Sequence, residues 1–177
     1  MQRSLAVLVV AMPAFLALLG QAPAMPNLDA QRAAMKKLAF LTGKWSGEAR
    51  IFRSGETLEV SQSEEVRYKL DGLLLEIEGI GIRKLDAKPA LQALGIISYD
   101  DPAGIYHMRA FNDGRWLETD VKLTGDKELS WGFTLGEYRT LSVLRINEKG
   151  EWTENHELTH GSQEPVKLMG ISVRRQR

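Results

Sequence analysis

From Trp45 onward, hydrophobic and polar residues alternate in segments of roughly eight to twelve residues, divided by turn-forming residues, which is the pattern of short β-strands. In residues 57–70, Leu58, Val60, Val66, Tyr68 and Leu70 share a face that also carries Gln62 and Glu64. The opposite face is Glu59, Ser61, Ser63, Glu65, Arg67 and Lys69, which suits solvent. Leu73, Leu75 and Ile77 oppose Glu76 and Glu78. Tyr106, Met108 and Ala110 oppose His107 and Arg109. Leu129, Trp131, Phe133 and Leu135 oppose Ser130, Gly132 and Thr134. In the last segment Met169, Ile171 and Val173 form one face, which Arg175 continues.

The pattern predicts strands at 44–53, 57–70, 72–83, 91–99, 105–111, 115–123, 128–135, 138–147, 151–159 and 166–175. Their dividers, such as Ser54-Gly55, Asp71-Gly72, Asn112-Asp113-Gly114 and Lys149-Gly150, are hairpin connections. About ten strands joined by short turns, with no helix between them, make an antiparallel meander, and closure removes its exposed edges. The predicted fold is all-β: a closed antiparallel up-and-down β-barrel with one N-terminal α-helix. A two-sheet sandwich would need longer crossovers, and only residues 84–90 offer one. The helix is predicted over 28–41, where good helix formers dominate and Leu28, Met35, Leu38 and Leu41 fall on one face. Asn27 or Asp29 can cap its start, and Gly43 marks its end. Such a helix could cover one end of the barrel.

Trp45 stands just inside the first predicted strand, after Gly43, and offers a large plug for a barrel end if its indole N–H finds an acceptor. A closed barrel brings its last strand beside its first, so Arg175 can stack on Trp45, cation over ring, with Arg174 as the alternative if a bulge shifts the face.

The first 24 residues read differently. Arg3, an apolar run from Leu5 to Leu19 and Ala22-Pro23-Ala24 have the order of a secretory signal peptide. The run is short against the roughly 20 residues of a membrane span. The expected organisation is a signal peptide at 1–24, a helix and lead-in at 25–43, and a barrel at 44–177. A periplasmic or secreted location in a bacterium follows, with no membrane span after cleavage. Lys+Arg and Asp+Glu number 23 each, so no basic surface points to nucleic acid. There is no Cys, which excludes disulfides and thiol catalysis.

Gly43-Lys44-Trp45 with an Arg on the terminal strand resembles the calycin superfamily of lipocalins, fatty-acid-binding proteins and nitrobindin-like haem barrels. Tyr99-Asp100, Gly104-Ile105-Tyr106, Gly150-Glu151-Trp152-Thr153-Glu154 and the Arg-Arg ending are most similar to a family of bacterial calycin-like domains without an established activity. The likeness covers about residues 35 to 176. It implies a ten-stranded barrel and a small apolar ligand.

Three constellations bear on chemistry. His156-Glu157-Leu158-Thr159-His160 matches the H-E-x-x-H zinc signature, but that motif works on a helix, and the flanking residues alternate like a strand. Residues i and i+4 of a strand lie roughly 13 Å apart, beyond the reach of one zinc. No metal is therefore expected. Haem barrels of the nitrobindin kind take an axial His from the final strand, and residues 166–175 contain none, which leaves His156 as the inward candidate and His107 outward. No cofactor is expected, with haem as the alternative. Glu64 and Gln62 fall on the apolar face, and an inward carboxylate needs a partner, either a ligand head group or an internal Arg such as Arg53.

The sequence thus points to an exported barrel, a monomer or weak homodimer, that binds a small, largely apolar molecule without chemistry. Tyr68, Tyr106, Trp131, His156 and Glu64 are the expected lining, with Trp45 and Arg175 closing one end. An enzyme using an inward His or Glu, a haem barrel, and a structural module with a filled core are the alternatives. Face parity cannot separate an open lumen from a packed one.

Overall fold

A computed structural model of the protein describes residues 25–177, so the signal-peptide reading of residues 1–24 lies outside the described residues. The elements in order are α1 (Leu28–Lys36), a 3-10 turn (Ala39–Leu41), β1 (Gly43–Arg53), β2 (Glu56–Lys69), β3 (Leu74–Arg83), β4 (Pro89–Asp100), β5 (Ile105–Asn112), β6 (Arg115–Gly125), β7 (Glu128–Trp131), β8 (Thr134–Leu135), β9 (Tyr138–Ile146), β10 (Glu151–His160) and β11 (Val166–Arg175). Neighbouring strands pair antiparallel. β1 pairs with β11, and β9 pairs with both β7 and β10, so the sheet closes on itself.

The predicted strand 128–135 is broken. β7 and β8 both lie along β9 and form one interrupted wall strand, so the described residues make a closed barrel of ten staves. The break falls at Gly132. A Cβ there would stand 2.1 Å from the Thr140 carbonyl oxygen, so only glycine tolerates this approach to β9. The Thr140 hydroxyl then accepts from the Phe133 N–H at 3.0 Å.

One end of the barrel is plugged. The Asn27 side chain caps α1 by accepting from the Ala30 N–H at 3.0 Å. Met35, Leu38 and Leu41 are fully buried against the barrel end, whereas Leu28 is 44% exposed, so the buried face begins about two turns later than the pattern suggests. The Tyr68 and Tyr106 hydroxyls donate to the Met35 and Ala34 carbonyls, each at 2.7 Å. Those carbonyls sit in the last turn of α1 and already accept from the Lys37 and Leu38 N–H groups, so the hydroxyls take their second lone pairs. The two tyrosines, expected among the lumen lining, thus tie the helix to the barrel.

Trp45 sits beneath this plug and is 1% exposed. Its indole N–H donates to the Leu41 carbonyl at 2.8 Å, and Trp152 meets it edge to face at 5.6 Å between centroids. Across the β1–β11 seam, Trp45 is the register partner of Arg175, whose guanidinium carbon lies 4.3 Å from the indole centroid. The same guanidinium donates to the carbonyls of Thr42 and Phe40. Gly43 makes this possible twice over: its φ is +119°, and a Cβ would stand 2.6 Å from Arg175 Nη1.

Trp45→Ala is expected to lower unfolding free energy by about 3–5 kcal/mol, because it opens a large cavity and orphans a carbonyl. Tyr106→Phe removes one buried hydroxyl and should cost about 1 kcal/mol. Urea unfolding of the two variants beside the parent protein measures both.

Candidate functional site

The barrel interior divides along its axis. Toward the plugged end it is solid: Val66, Leu75 and Val173 pack with Trp45 and are nearly inaccessible, while Ile97, Leu129, Leu144 and Trp152, equally buried, form the layer where the solid part meets the cavity. Toward the other end the walls stand apart around a cavity of about 330 Å³. Its walls are mostly apolar, including Ile77, Leu94, Met108, Trp131, Phe133 and Met169. Small residues, Gly79, Ala93, Gly95 and Ala110, supply the space.

The polar groups come mainly from three strands. β2 contributes Glu64, β9 contributes Ser142, and β10 contributes Glu154 and His156. Strand alternation aims them inward: Gln62 and Glu64 follow Leu58 and Val60 on one face of β2, and Glu154 and His156 follow Trp152 on one face of β10. Glu64 and Glu154 are 6% and 7% exposed.

Their contacts are few. Gln62 Nε2 donates to Glu64 Oε1 at 2.7 Å. The Trp152 indole donates to Glu154 Oε2 at 3.0 Å. His156 Nδ1 lies 2.7 Å from Ser142 Oγ. His156 Nε2 lies 2.8 Å from Glu154 Oε1, but off the axis of a hydrogen bond, so it is buried without a proper partner. Gln62 Oε1 is likewise buried with no donor. No Lys or Arg is among the residues lining the cavity. Burial pushes the Glu64 carboxyl up to about 8, the proximity of Glu154 adds to the rise, and the Gln62 hydrogen bond opposes it.

The residues expected at this site are distributed as follows. Trp131, His156 and Glu64 line the cavity. Tyr68 and Tyr106 lie at the plugged end, bonded to α1, because face parity assigns a side without assigning a level along the axis. Trp45 and Arg175 meet at that same end. Arg53, considered as an inward partner for Glu64, is exposed at the end of β1, and the Gln62 amide is the neighbour instead. Glu154, missed as a site residue, shares its face of β10 with Trp152 and His156, and that alternation was the available signal. Leu168 joins Met169 on the cavity wall because the β10–β11 register shifts between His156 and Glu157, which alternation does not reveal.

The H-E-x-x-H stretch lies on strand β10. His156 faces the cavity, while His160 stacks on Tyr138 at 4.5 Å and lies 3.3 Å from Glu137. His107 is 2.8 Å from Asp120 on the outside. As an axial haem ligand His156 fits poorly: Nδ1 is taken by Ser142 and Nε2 is sealed against Glu154.

The crystal structure of Rv2717c from M. tuberculosis is similar in fold, with a TM-score of 0.63 over 81% of this chain and 98% of that one, at 17% sequence identity. That identity supports a likeness of fold alone. No protein-family model matches the chain, and no curated protein matches it.

The raised Glu64 carboxyl has a consequence for stability. Below the usual value of 4.5, Glu64 carries its proton folded or unfolded and costs nothing. Between 4.5 and about 8 the unfolded chain releases that proton and the folded one keeps it, so stability falls as pH rises and then levels off. The penalty is on the order of 5 kcal/mol across that window, at about 1.36 kcal/mol per pH unit. Glu64→Gln should therefore gain stability over the parent protein at pH 8 and show little gain at pH 4.5. Guanidinium unfolding at both pH values checks this.

Proposed function

We propose that the protein is a small-molecule carrier or sensor that binds a largely apolar ligand in the barrel lumen without transforming it. One observation carries the reading: a cavity of about 330 Å³, walled by apolar side chains, with a few polar groups gathered at Glu64, Ser142, Glu154 and His156. That combination is typical of ligand pockets of about 300–1,000 Å³. A filled core would close such a space, because interiors pack to crystal-like density. Phe111 and Phe133 line the cavity and are 38% and 42% exposed, which gives an apolar ligand a path in.

The ten-stave closure, the plugging helix and the Trp45–Arg175 stack support a calycin-like barrel. The charged start, short apolar run and Ala-Pro-Ala support export, with a mature chain beginning at Met25. No helix among the described residues is long and apolar enough to cross a membrane. The ligand is held without a metal or haem, in keeping with the two neighbours that cover the His156 ring nitrogens.

Titration with the neutral fluorophore N-phenyl-1-naphthylamine tests the reading. The parent protein should bind it at micromolar concentration with quenching of tryptophan emission. Ala110→Phe, which fills the cavity, should weaken binding at least tenfold. Trp131→Ala should also weaken it, at less cost in stability than Trp45→Ala, since a cavity wall has fewer contacts to lose. If the parent protein binds no probe, and Trp131→Ala destabilises as much as Trp45→Ala, the interior is structural.

A further inference from the structure

The polar end of the cavity has an unbalanced inventory of hydrogen-bonding groups. Glu64 lines the open space, and its Oε2 receives no donor from the described residues, since Gln62 reaches only Oε1. A Cβ on Gly79 would lie 2.8 Å from Oε2, so glycine is what leaves that oxygen uncovered on its β3 side. Glu154 Oε1 has only the off-axis imidazole. Among the nearly buried groups of this end, what is left unmet is acceptor capacity, apart from His156 Nε2, whose role follows its tautomer. These two nearly buried carboxylates, with the less buried Glu157 beside them on β10, face a mostly apolar space whose lining holds one imidazole and no Lys or Arg.

A buried carboxylate without a cationic partner is costly, and it persists where something else completes it. An ammonium group supplies three donors, a positive charge and no acceptor. A fatty acid would bring a further carboxylate to ones that have no cation in the lining to offset them. An alcohol offers one donor and no charge.

Building on the lumen-binding reading, we infer that the cavity selects amphiphilic amines, seating a protonated amine between Glu64 and Glu154 with its apolar body along Trp131, Met108 and the Phe111–Phe133 mouth. The elevated Glu64 carboxyl is in keeping with this, since a site made for a cation holds its carboxylate uncomfortably while the cation is absent. The inference deepens the lumen reading and can fail on its own.

Three probes of one chain length test it: n-octylamine, 1-octanol and octanoate, each displacing N-phenyl-1-naphthylamine at pH 7.5. The amine should compete at least tenfold better than the alcohol, and octanoate should compete worst. In Glu64→Gln and in Glu154→Gln the advantage of amine over alcohol should fall to less than threefold. If octanol matches octylamine, or octanoate competes best, or the amine keeps its advantage in both variants, the amine inference is overturned while lumen binding stands. If neither the fluorophore nor any of the three binds the parent protein, both readings fall together.

Discussion

The Arg175 guanidinium is where the two ends of the folded chain are tied. It lies on the Trp45 ring across the β1–β11 seam and donates to the carbonyls of Phe40 and Thr42. A barrel closed by strand pairing alone has its first and last staves held only by ladder bonds, which fray from the ends. Here the seam is fastened by a stacked cation whose planar fork reaches two carbonyls at once, something a Lys cannot reproduce. Because those carbonyls belong to the link between α1 and β1, the same contact holds the plug on the barrel. Gly43 is its precondition, leaving both the backbone twist and the space for the guanidinium.

That fastening sets how the interior is used. The tryptophans, the helix and the aliphatic layer around them fill the plugged end at high density. Stability concentrated there lets the other half stay open and carry groups that a core would reject. Glu64 and Glu154 would be poor core residues, since burying a carboxylate costs several kcal/mol unless it is paired. They sit at the boundary between the filled half and the hollow half, next to the indole of Trp152 and the amide of Gln62. The division of labour resembles that of many binding proteins, in which a rigid scaffold carries the cost of a strained site.

Most of the architecture was legible because hairpin dividers and period-two alternation are local signals. The ten staves fall where the turns and faces place them, and the Trp45–Arg175 pairing follows from closure alone; the helix starts where expected but ends at Lys36 rather than at 41, the 3-10 turn Ala39–Leu41 follows it, and Gly43 opens β1 instead of capping the helix. Depth was not legible. Alternation says that Tyr68, Tyr106, Trp131 and Glu64 point inward, yet not that the first two stop at α1 while the others reach the cavity. Depth depends on stagger between staves, which pairing register sets and a single strand does not encode. The bulge that brings Leu168 to the wall and the break at Gly132 are likewise properties of strand pairs. Arg53 was considered as a partner for Glu64 on residue type alone, and its position at the end of β1 leaves it in solvent.

The row Ser142–His156–Glu154 has the connectivity of a nucleophile, a base and an orienting acid, with gaps of 2.7 and 2.8 Å. Acyl transfer asks for more than connectivity. The acid has to lie on the hydrogen-bond axis of the ring, and Glu154 Oε1 is off it. The nucleophile needs donors beside it for a developing oxyanion. Ser142 sits mid-strand in β9 with its neighbours paired to β7 on one side and β10 on the other, so the backbone N–H groups around it are committed to ladders. The Phe133 N–H, where β7 is interrupted, goes to the Thr140 hydroxyl. Charge argues the same way: an oxyanion forming in a cavity that already holds Glu64 and Glu154 would be destabilised, whereas a resident cation would be held. The same row that suggests a catalytic triad therefore suits the acidic wall of the proposed binding site better, with Ser142 fixing the His156 ring beside Glu154.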